Sequence, residues 1–156
     1  MPKKPIVTIC SSAAFYRQAV DLQEELEKLG FQVVLPISAE RMKASGDFEV
    51  KKSWLTNAND YDKKAELIHA HLDKVAGGDA TLVLNFEKSG QQNYIGGNVL
   101  MEMALAFHLR KPIFLFNDIP EESTFLEEIR GMQPIVMHGD IASLAKHYKL
   151  GSTASA

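Results

Sequence analysis

The chain has 156 residues, a formal net charge of −3, and 46% hydrophobic against 24% charged residues, as expected for one globular domain with its own core. This charge gives no electrostatic reason to expect a nucleic acid polymer as a partner, and a single cysteine, Cys10, excludes a disulfide framework and a CxxC metal pair. No apolar run approaches membrane-spanning length and no signal-peptide core opens the chain, so we expect a cytoplasmic protein without a membrane partner.

The first 35 residues predict a strand, a helix and a second strand. Residues 6–10 (IVTIC) form a β-branched apolar run, typical of a buried strand. An apolar stripe over about residues 14–29 predicts a helix that Gly30 ends, and residues 31–35 predict a strand closed by Pro36. This β-α-β order favours a parallel sheet.

Residues 37–60 show no clean periodicity and contain Gly46 and the single Trp54. Because a long irregular segment inside a compact domain is usually functional or mobile, we expect an excursion over the sheet edge that can contain a short helix or act as a lid.

The rest of the chain alternates between helical and strand patterns. The predicted elements are helix 61–76, strand 80–86, helix 98–109, strand 113–116, helix 121–131 with Ser123 or Thr124 as its cap, strand 134–137, and helix 141–150 capped by Asp140. The alternation predicts an α/β fold: a single doubly wound, flavodoxin- or Rossmann-like domain over residues 1–150, with a five-stranded parallel sheet in the order 2-1-3-4-5. Residues 151–156, GSTASA, predict a disordered tail.

In that strand order the switch point lies between the first and third strands, and ligands bind outside the carboxyl ends of the strands there. The candidate substrate-binding residues follow the predicted strands or open the helix after the third: Ser11, Ser12, Phe15, Asn85, Tyr94, Gly96, Gly97, Asn98 and Asn117. Several have simpler roles, since a serine can cap a helix and Tyr94 can either anchor its loop or stack on a planar ring. Their convergence on one edge is what predicts a site.

Glu102 stands out in the predicted helix 98–109, where Asn98 has the position of an N-cap and every other residue to Phe107 is apolar. A helix that is apolar all round is normally buried, and an unpaired carboxylate there is costly. Either Arg110 or Lys111 neutralises Glu102, or it points to solvent, or it stands in a pocket as a catalytic group leaning toward the glycine loop.

Gly96-Gly97-Asn98 at a helix start offers free N–H groups to an anion or to sugar oxygens. It lacks the Gly-Lys-Ser/Thr of a Walker loop and the third glycine of the Rossmann fingerprint, so dinucleotide binding is disfavoured. His69 and His71 lie two residues apart on a helix and face different ways. We therefore predict no metal and no cofactor.

Three stretches carry one larger pattern: IVTICSS with ELEKLGFQVVLP, then DATLVLN, then YIGGNVLMEMALAFHLRKPIFLFN. They contain a third strand D-x-x-L-V, a glycine loop, a glutamate in the next helix followed by A-x-A, and K-P-I entering the fourth strand. On this pattern residues 6–117 resemble the nucleoside 2-deoxyribosyltransferase-like superfamily.

The resemblance implies that Glu102 attacks C1′ of a deoxyribose and holds the sugar until a second nucleobase, or water, takes it. The expected function is N-glycosyl transfer on 2-deoxynucleosides, with nucleosides or nucleotides as ligands. One alternative is a deoxynucleoside 5′-monophosphate N-glycosidase, because Ser11 and Ser12 resemble the serines that contact the phosphate in that branch of the superfamily. Another is a non-catalytic nucleotide-binding or sensing module, and a third is an interaction domain in which Glu102 is ion-paired across a homodimer.

The sequence departs from the family pattern before Glu102. The acid that the transferases place in the preceding loop is replaced here by QQNY at residues 91–94, with Glu87 further back, so proton delivery to the leaving base is unassigned. The related phosphoribohydrolase loop P-G-G-x-G-T-x-x-E fits less well, because the threonine is absent and Glu102 falls one residue early. The apolar helix 98–109 also predicts self-association, as a homodimer or a higher homo-oligomer.

Overall fold

The computed structural model describes residues 3–150, so the predicted tail at 151–156 lies outside the described residues. A five-stranded sheet forms the centre, and every paired strand is parallel. The strands are β1 (Ile6–Ser11), β2 (Gln32–Val34), β3 (Ala80–Leu84), β4 (Ile113–Leu115) and β5 (Ile135–Val136), in the order β2-β1-β3-β4-β5. The predicted fold class and strand order are confirmed.

Within residues 3–150, six α-helices connect and follow these strands: α1 (Tyr16–Lys28), α2 (Ile37–Ser45), α3 (Tyr61–Gly77), α4 (Gly97–His108), α5 (Leu126–Gly131) and α6 (Ala142–His147). No α-helix within residues 3–150 has both the length and the apolar character needed to cross a membrane.

The bounds of several elements differ from the sequence prediction, and the start positions of α4 and α5 differ for identifiable reasons. Residues 37–60 contain the short helix α2, one of the structures expected there, and Gly46 caps its end with a φ of +76°; its periodicity is weak because Ala39 is its one buried residue. α5 begins at Leu126 rather than near 121, because the Ser123 hydroxyl accepts a hydrogen bond from the amide of Phe125 and shapes a turn before the helix. Asn98 is not the N-cap of α4: Gly96 holds that position in an extended conformation, and the helix begins at Gly97.

The helices form two layers, one on each face of the sheet. Side chains of a strand alternate between the faces, so Val7 and Ile9 of β1 pack in the core under α1, α2 and α6, whereas Cys10 packs in the core under α3, α4 and α5. β3 and β4 are buried at every residue, and β1 at every residue except Ile6. From β1 the chain continues to β2 on one side of the sheet, and from β3 to β4 on the other, so the predicted switch point lies between β1 and β3.

Candidate active site

The carboxyl end of β1 and the loop after β3 meet, as the strand order predicts. Nζ of Lys88 donates to the Ser12 hydroxyl at 2.9 Å and lies 4.7 Å from the ring centroid of Tyr94. The Tyr94 ring in turn covers Gly96, where an added Cβ would lie 2.9 Å from the phenol oxygen. Lys88, which was not predicted from the sequence, thus brings together Ser12, Tyr94 and Gly96.

Lys88 is held by the shape of its loop. Its backbone N–H and C=O pair with Gln91 in a tight turn, where Gly90 has a φ of +84°. The carboxylate of Glu87 accepts the N–H of Gly90 at 2.6 Å, so this side chain stabilises the turn rather than facing Glu102. A lone lysine in a polar loop carries no signal in sequence, because its partner Ser12 lies 76 residues away.

Ser11 and Phe15 lie deeper than Ser12. Ser11 is 7% exposed, and its hydroxyl donates a hydrogen bond to the Ser12 carbonyl at 3.0 Å. Phe15 is 3% exposed and packs edge-on against Phe86 with ring centroids 5.4 Å apart. Direct contact of either residue with a substrate stays a prediction, whereas their contacts show how they fix the position of Ser12.

Asn85 and Asn117 join the ends of β3 and β4. The fully buried Asn85 amide donates to the carbonyls of Asn117 and Asp118 at 3.2 and 2.9 Å, and its Oδ1 accepts the N–H of Asn117 at 2.8 Å. The Asn117 amide donates to the Asn85 carbonyl at 3.3 Å. Because both donor hydrogens of Asn85 are used, its observed role is to hold the Asn117 loop over the sheet edge.

The start of α4 presents Gly97 and Asn98 to solvent. The first amides of an α-helix have no acceptor within the helix, and they form the positive end of its dipole. Binding of an anion or of sugar oxygens at this N-terminus stays a prediction, and Gly96 rather than Asn98 takes the capping position.

Glu102 lies on the inner side of α4, in a wall shared with β1 and α3. Its side chain is 13% exposed, and Oε2 lies 3.9 Å from Nε2 of His71. Nε2 of His71 is also 3.3 Å from Sγ of Cys10. Glu102 therefore lies close to Cys10, the residue directly before Ser11, which places it near the carboxyl end of β1 and the predicted switch point.

Neither cation proposed to neutralise Glu102 reaches it. Lys111 donates through Nζ to the carbonyls of Ala76 and Gly78, and Arg110 is exposed beyond the end of α4. Within residues 3–150 no lysine or arginine nitrogen lies at ion-pair distance from Glu102, and Oε2 is buried without a hydrogen-bond partner. Glu102 is therefore a buried acid without a cationic partner.

Burial dominates the electrostatics of this wall. It raises the pKa of Glu102 to about 7, against smaller opposing effects of a hydrogen bond from the Cys10 thiol and the charge of Lys64. Burial, with help from the charge of Lys74, lowers the pKa of His71 to about 4. A low-polarity environment disfavours either charge, so the wall holds a carboxyl group that titrates near neutral pH beside a neutral imidazole.

The pKa values of two further side chains respond to the charge of Glu102. Burial, and then the charge of Glu102, raises the pKa of the Cys10 thiol and that of the Tyr16 phenol. Both groups consequently stay protonated at neutral pH and can donate a hydrogen bond. Tyr16 opens α1, one residue after Phe15. It was not predicted as a site residue, because the apolar stripe of α1 does not indicate an electrostatic neighbour on α4.

Two surface clefts flank the sheet edge. One, of about 430 Å³, is lined by residues of the Gln92-Asn93 loop and of the segment 118–136, including Asp118 and Arg130. The other, of about 560 Å³, lies between the start of α1 and residues 46–49. Glu102 lines neither cleft, so its carboxyl group lies in the protein interior between α4, β1 and α3 rather than in an open depression.

One set of side chains in the described chain can offer ligand atoms to a metal ion: Cys10, His71 and Glu102, all within 4.8 Å of one another. His69 is exposed and His71 is buried, so these two face different ways, as predicted. The set was missed in sequence because its members come from β1, α3 and α4, and Cys10 lies 61 residues from His71.

No family model matches the chain, and a comparison with curated proteins finds no match.

Proposed function

We propose that this protein transfers the sugar of 2-deoxynucleosides between nucleobases through a covalent sugar ester on Glu102. The observation that carries the proposal is the position of this carboxyl group: it is buried, without a cationic partner, and next to Cys10 at the carboxyl end of β1. Burying an acid in this way is costly, and perturbed carboxyl groups at switch points are typical of functional sites.

The residue type suits the reaction. Cleavage of an N-glycosidic bond builds positive charge at C1′, which a carboxylate stabilises and can trap. One Glu102 oxygen attacks C1′ and forms a C–O bond while the C–N bond breaks, and the electron pair leaves with the base, which takes up a proton. A nitrogen of the acceptor base then attacks C1′, the C–O bond to Glu102 breaks and releases the carboxylate, and the acceptor nitrogen loses its proton to solvent.

The protonated side chains around Glu102 support this chemistry. The Cys10 thiol shares a buried cluster with the Glu102 carboxyl group, and burial together with the charge of Glu102 keeps both this thiol and the Tyr16 phenol protonated. Neither group carries a positive charge, so neither neutralises the nucleophile. The apolar side chains around them keep water, a competing acceptor, away from the sugar ester.

A specific contact favours the second candidate, hydrolysis of deoxynucleoside 5′-monophosphates. Lys88 places an ammonium group 2.9 Å from the Ser12 hydroxyl, near the turn whose serines the family resemblance assigns to phosphate. An ammonium and a hydroxyl together suit a phosphate dianion. If this candidate holds, Lys88→Gln reduces turnover of monophosphates and leaves that of nucleosides unchanged.

We also propose that the protein acts as a homo-oligomer that associates through α4. Met101 and Phe107 are 44% and 50% exposed, and Leu109, directly after the helix, is 40% exposed. With Ala104, which is also exposed, Met101 and Phe107 follow one another at intervals of three residues along one side of α4. An apolar stripe of this kind is typical of a contact surface.

The test is to incubate the protein with a panel of deoxynucleosides and their 5′-monophosphates, with and without a free acceptor base, and to separate products by chromatography. Transfer gives a new nucleoside that depends on the acceptor, whereas hydrolysis gives free base and sugar or sugar phosphate. Intact-protein mass spectrometry after an acid quench should detect one deoxyribosyl adduct on Glu102.

Glu102→Ala and Glu102→Gln should abolish base release with the fold intact, and Glu25→Gln, an exposed glutamate on α1, is the matched control. Unchanged turnover in the Glu102 variants would reject the proposal. Ligand-induced thermal stabilisation without any released base would instead identify a nucleotide-binding module.

A further inference from the structure

Three different donor groups meet between the sheet and the helices α3 and α4. Sγ of Cys10 lies 3.3 Å from Nε2 of His71, Nε2 lies 3.9 Å from Oε2 of Glu102, and the three ligand atoms lie within 4.8 Å of one another. Each comes from a separate element of the core, so packing holds the arrangement together rather than a flexible loop.

Hydrogen bonding alone does not account for this arrangement. A separation of 3.9 Å between Nε2 and Oε2 is too long for a hydrogen bond, and Oε2 of Glu102 is buried without a partner. The His71 residue is 6% exposed and directs Nε2 at the other two groups. Two ligands of one tetrahedral zinc ion lie roughly 3.3–3.8 Å apart, given zinc–ligand distances of about 2.0–2.3 Å, which is close to both measured separations.

We propose that Cys10, His71 and Glu102 form a binding site for Zn²⁺. A thiolate, an imidazole and a carboxylate are the ligand types that zinc takes, and three protein ligands with an open fourth position are a common zinc arrangement. Mg²⁺ and Ca²⁺ prefer oxygen ligands throughout, so the sulfur and nitrogen donors select against them.

Binding requires each side chain to present a lone pair. The Cys10 thiol releases its proton to solvent and coordinates as thiolate; His71 coordinates through Nε2 and keeps its proton on Nδ1; Glu102 coordinates as carboxylate, and water fills the fourth position. Within residues 3–150, Nδ1 of His71 makes no hydrogen bond of good geometry, although the Ile9 backbone lies close enough to the imidazole to oppose the lowering of its pKa. Because such outer partners typically contribute ten- to a hundredfold in affinity, we expect weaker binding than in structural four-ligand zinc sites.

Occupancy would act on the proposed reaction, and this consequence rests on the proposed function. A carboxylate oxygen bound to zinc cannot attack C1′ of a sugar. Zinc is then a reversible inhibitor that competes with formation of the sugar ester, so the same side chain is either a metal ligand or a nucleophile.

Metal binding is measured without reference to turnover. The full-length protein, kept reduced under anaerobic conditions, is titrated with Co²⁺ as a spectroscopic probe and then with Zn²⁺ by calorimetry. We expect one ion per chain, a thiolate-to-cobalt charge-transfer band that Zn²⁺ abolishes, and thermal stabilisation by Zn²⁺. Cys10→Ser should remove the band and weaken zinc binding roughly 100-fold or more, and Glu102→Gln, which is nearly isosteric, should weaken it at least about tenfold.

The matched controls are His69→Gln on α3 and His108→Gln on α4, both exposed histidines, which should bind as the wild type does. No charge-transfer band, or binding lost in these controls and retained in Cys10→Ser, would overturn the site. The charge-transfer band reports metal binding alone. Binding of Co²⁺ without any release of base would therefore reject the proposed function and support the metal site. Release of base without any binding of Co²⁺ would support the proposed function and reject the metal site.

Discussion

The carboxyl group of Glu102 and the imidazole of His71 lie 3.9 Å apart without forming an ion pair. Burial raises the pKa of Glu102 to about 7 and lowers that of His71 to about 4. Between these values both groups are mainly neutral, and above pH 7 the carboxylate alone is charged. The pair therefore does not stabilise the fold as an ion pair, and its carboxyl group changes charge near neutral pH.

Glu102→Gln should stabilise the protein at pH 8 and have little effect near pH 5. The folded-state pKa of Glu102 is raised, so its favourable contribution is complete below the unfolded value of 4.5 and is lost as pH rises through about 7. The loss amounts to about 3 kcal/mol for 2.5 pH units at 1.36 kcal/mol each. Gln carries no charge and avoids this loss.

Urea denaturation of the wild type, Glu102→Gln and the exposed control Glu25→Gln at both pH values measures the effect. His71 changes stability in the opposite direction, below pH 6.5, because its pKa is lowered, and its contribution is shared by all three proteins. An equal difference between the wild type and Glu102→Gln at pH 5 and pH 8 would contradict burial as the cause.

If ionised Glu102 is the nucleophile, kcat/KM should rise tenfold per pH unit below about pH 7 and level off above it. The groups that face Glu102 set this midpoint: Cys10 and Lys64 lower its pKa, His71 is neutral there, and Tyr16 stays protonated. Lys64→Gln removes a stabilising charge and should raise the midpoint by roughly half a unit.

Lys63→Gln is the control, since this neighbouring lysine pairs with Asp60 at the surface and should leave the pH profile unchanged. A rate that falls through pH 7 would show instead that the protonated form of Glu102 is the active one.

Gly96→Ala should weaken substrate binding while Gly97→Ala should not. A Cβ at Gly96 would lie 2.9 Å from the Tyr94 hydroxyl and displace that ring, whereas a Cβ at Gly97 meets nothing within 4 Å. Neither glycine has a positive φ, so alanine is not strained at either position. Loss of base stacking on Tyr94 should raise KM roughly fivefold or more, equivalent to about 1 kcal/mol.

Steady-state kinetics give KM, and denaturation of both variants should show changes below about 1 kcal/mol, because a movable tyrosine tip relieves the contact. Equal KM values for the two variants would mean that Tyr94 anchors its loop and does not touch the base.

Phe107→Glu should convert the proposed homo-oligomer into monomers. This side chain is 50% exposed on α4 in the single chain, and a charge in an apolar interface carries a large desolvation cost. Light scattering at micromolar concentration measures the mass. Val50→Glu, at an exposed loop position, is the control and should keep the wild-type mass; a monomeric wild type would reject the proposal.

Local patterns determined the fold in advance. The alternation of short apolar strands with amphipathic helices predicted the parallel sheet and its order. The two kinds of element can be told apart in sequence because buried residues recur with a different period in a strand than in a helix. The bounds of α2 were not predicted, although a short helix was one expectation for residues 37–60: α2 buries Ala39 alone, so its sequence shows no apolar stripe. The capping role of Gly96 was missed because Asn98 is the better capping residue by type.

The sequence by itself determined the α/β architecture, the edge at which polar residues gather, and the unusual position of one acid in an apolar helix. Tertiary structure alone decided what surrounds that acid: a thiol on β1, an imidazole on α3 and a phenol on α1, and similarly the contact of Lys88 with Ser12. The reason is sequence separation. Periodicity records which face of an element is buried, but it carries no information about which distant side chain meets that face, because the packing of whole elements sets those contacts.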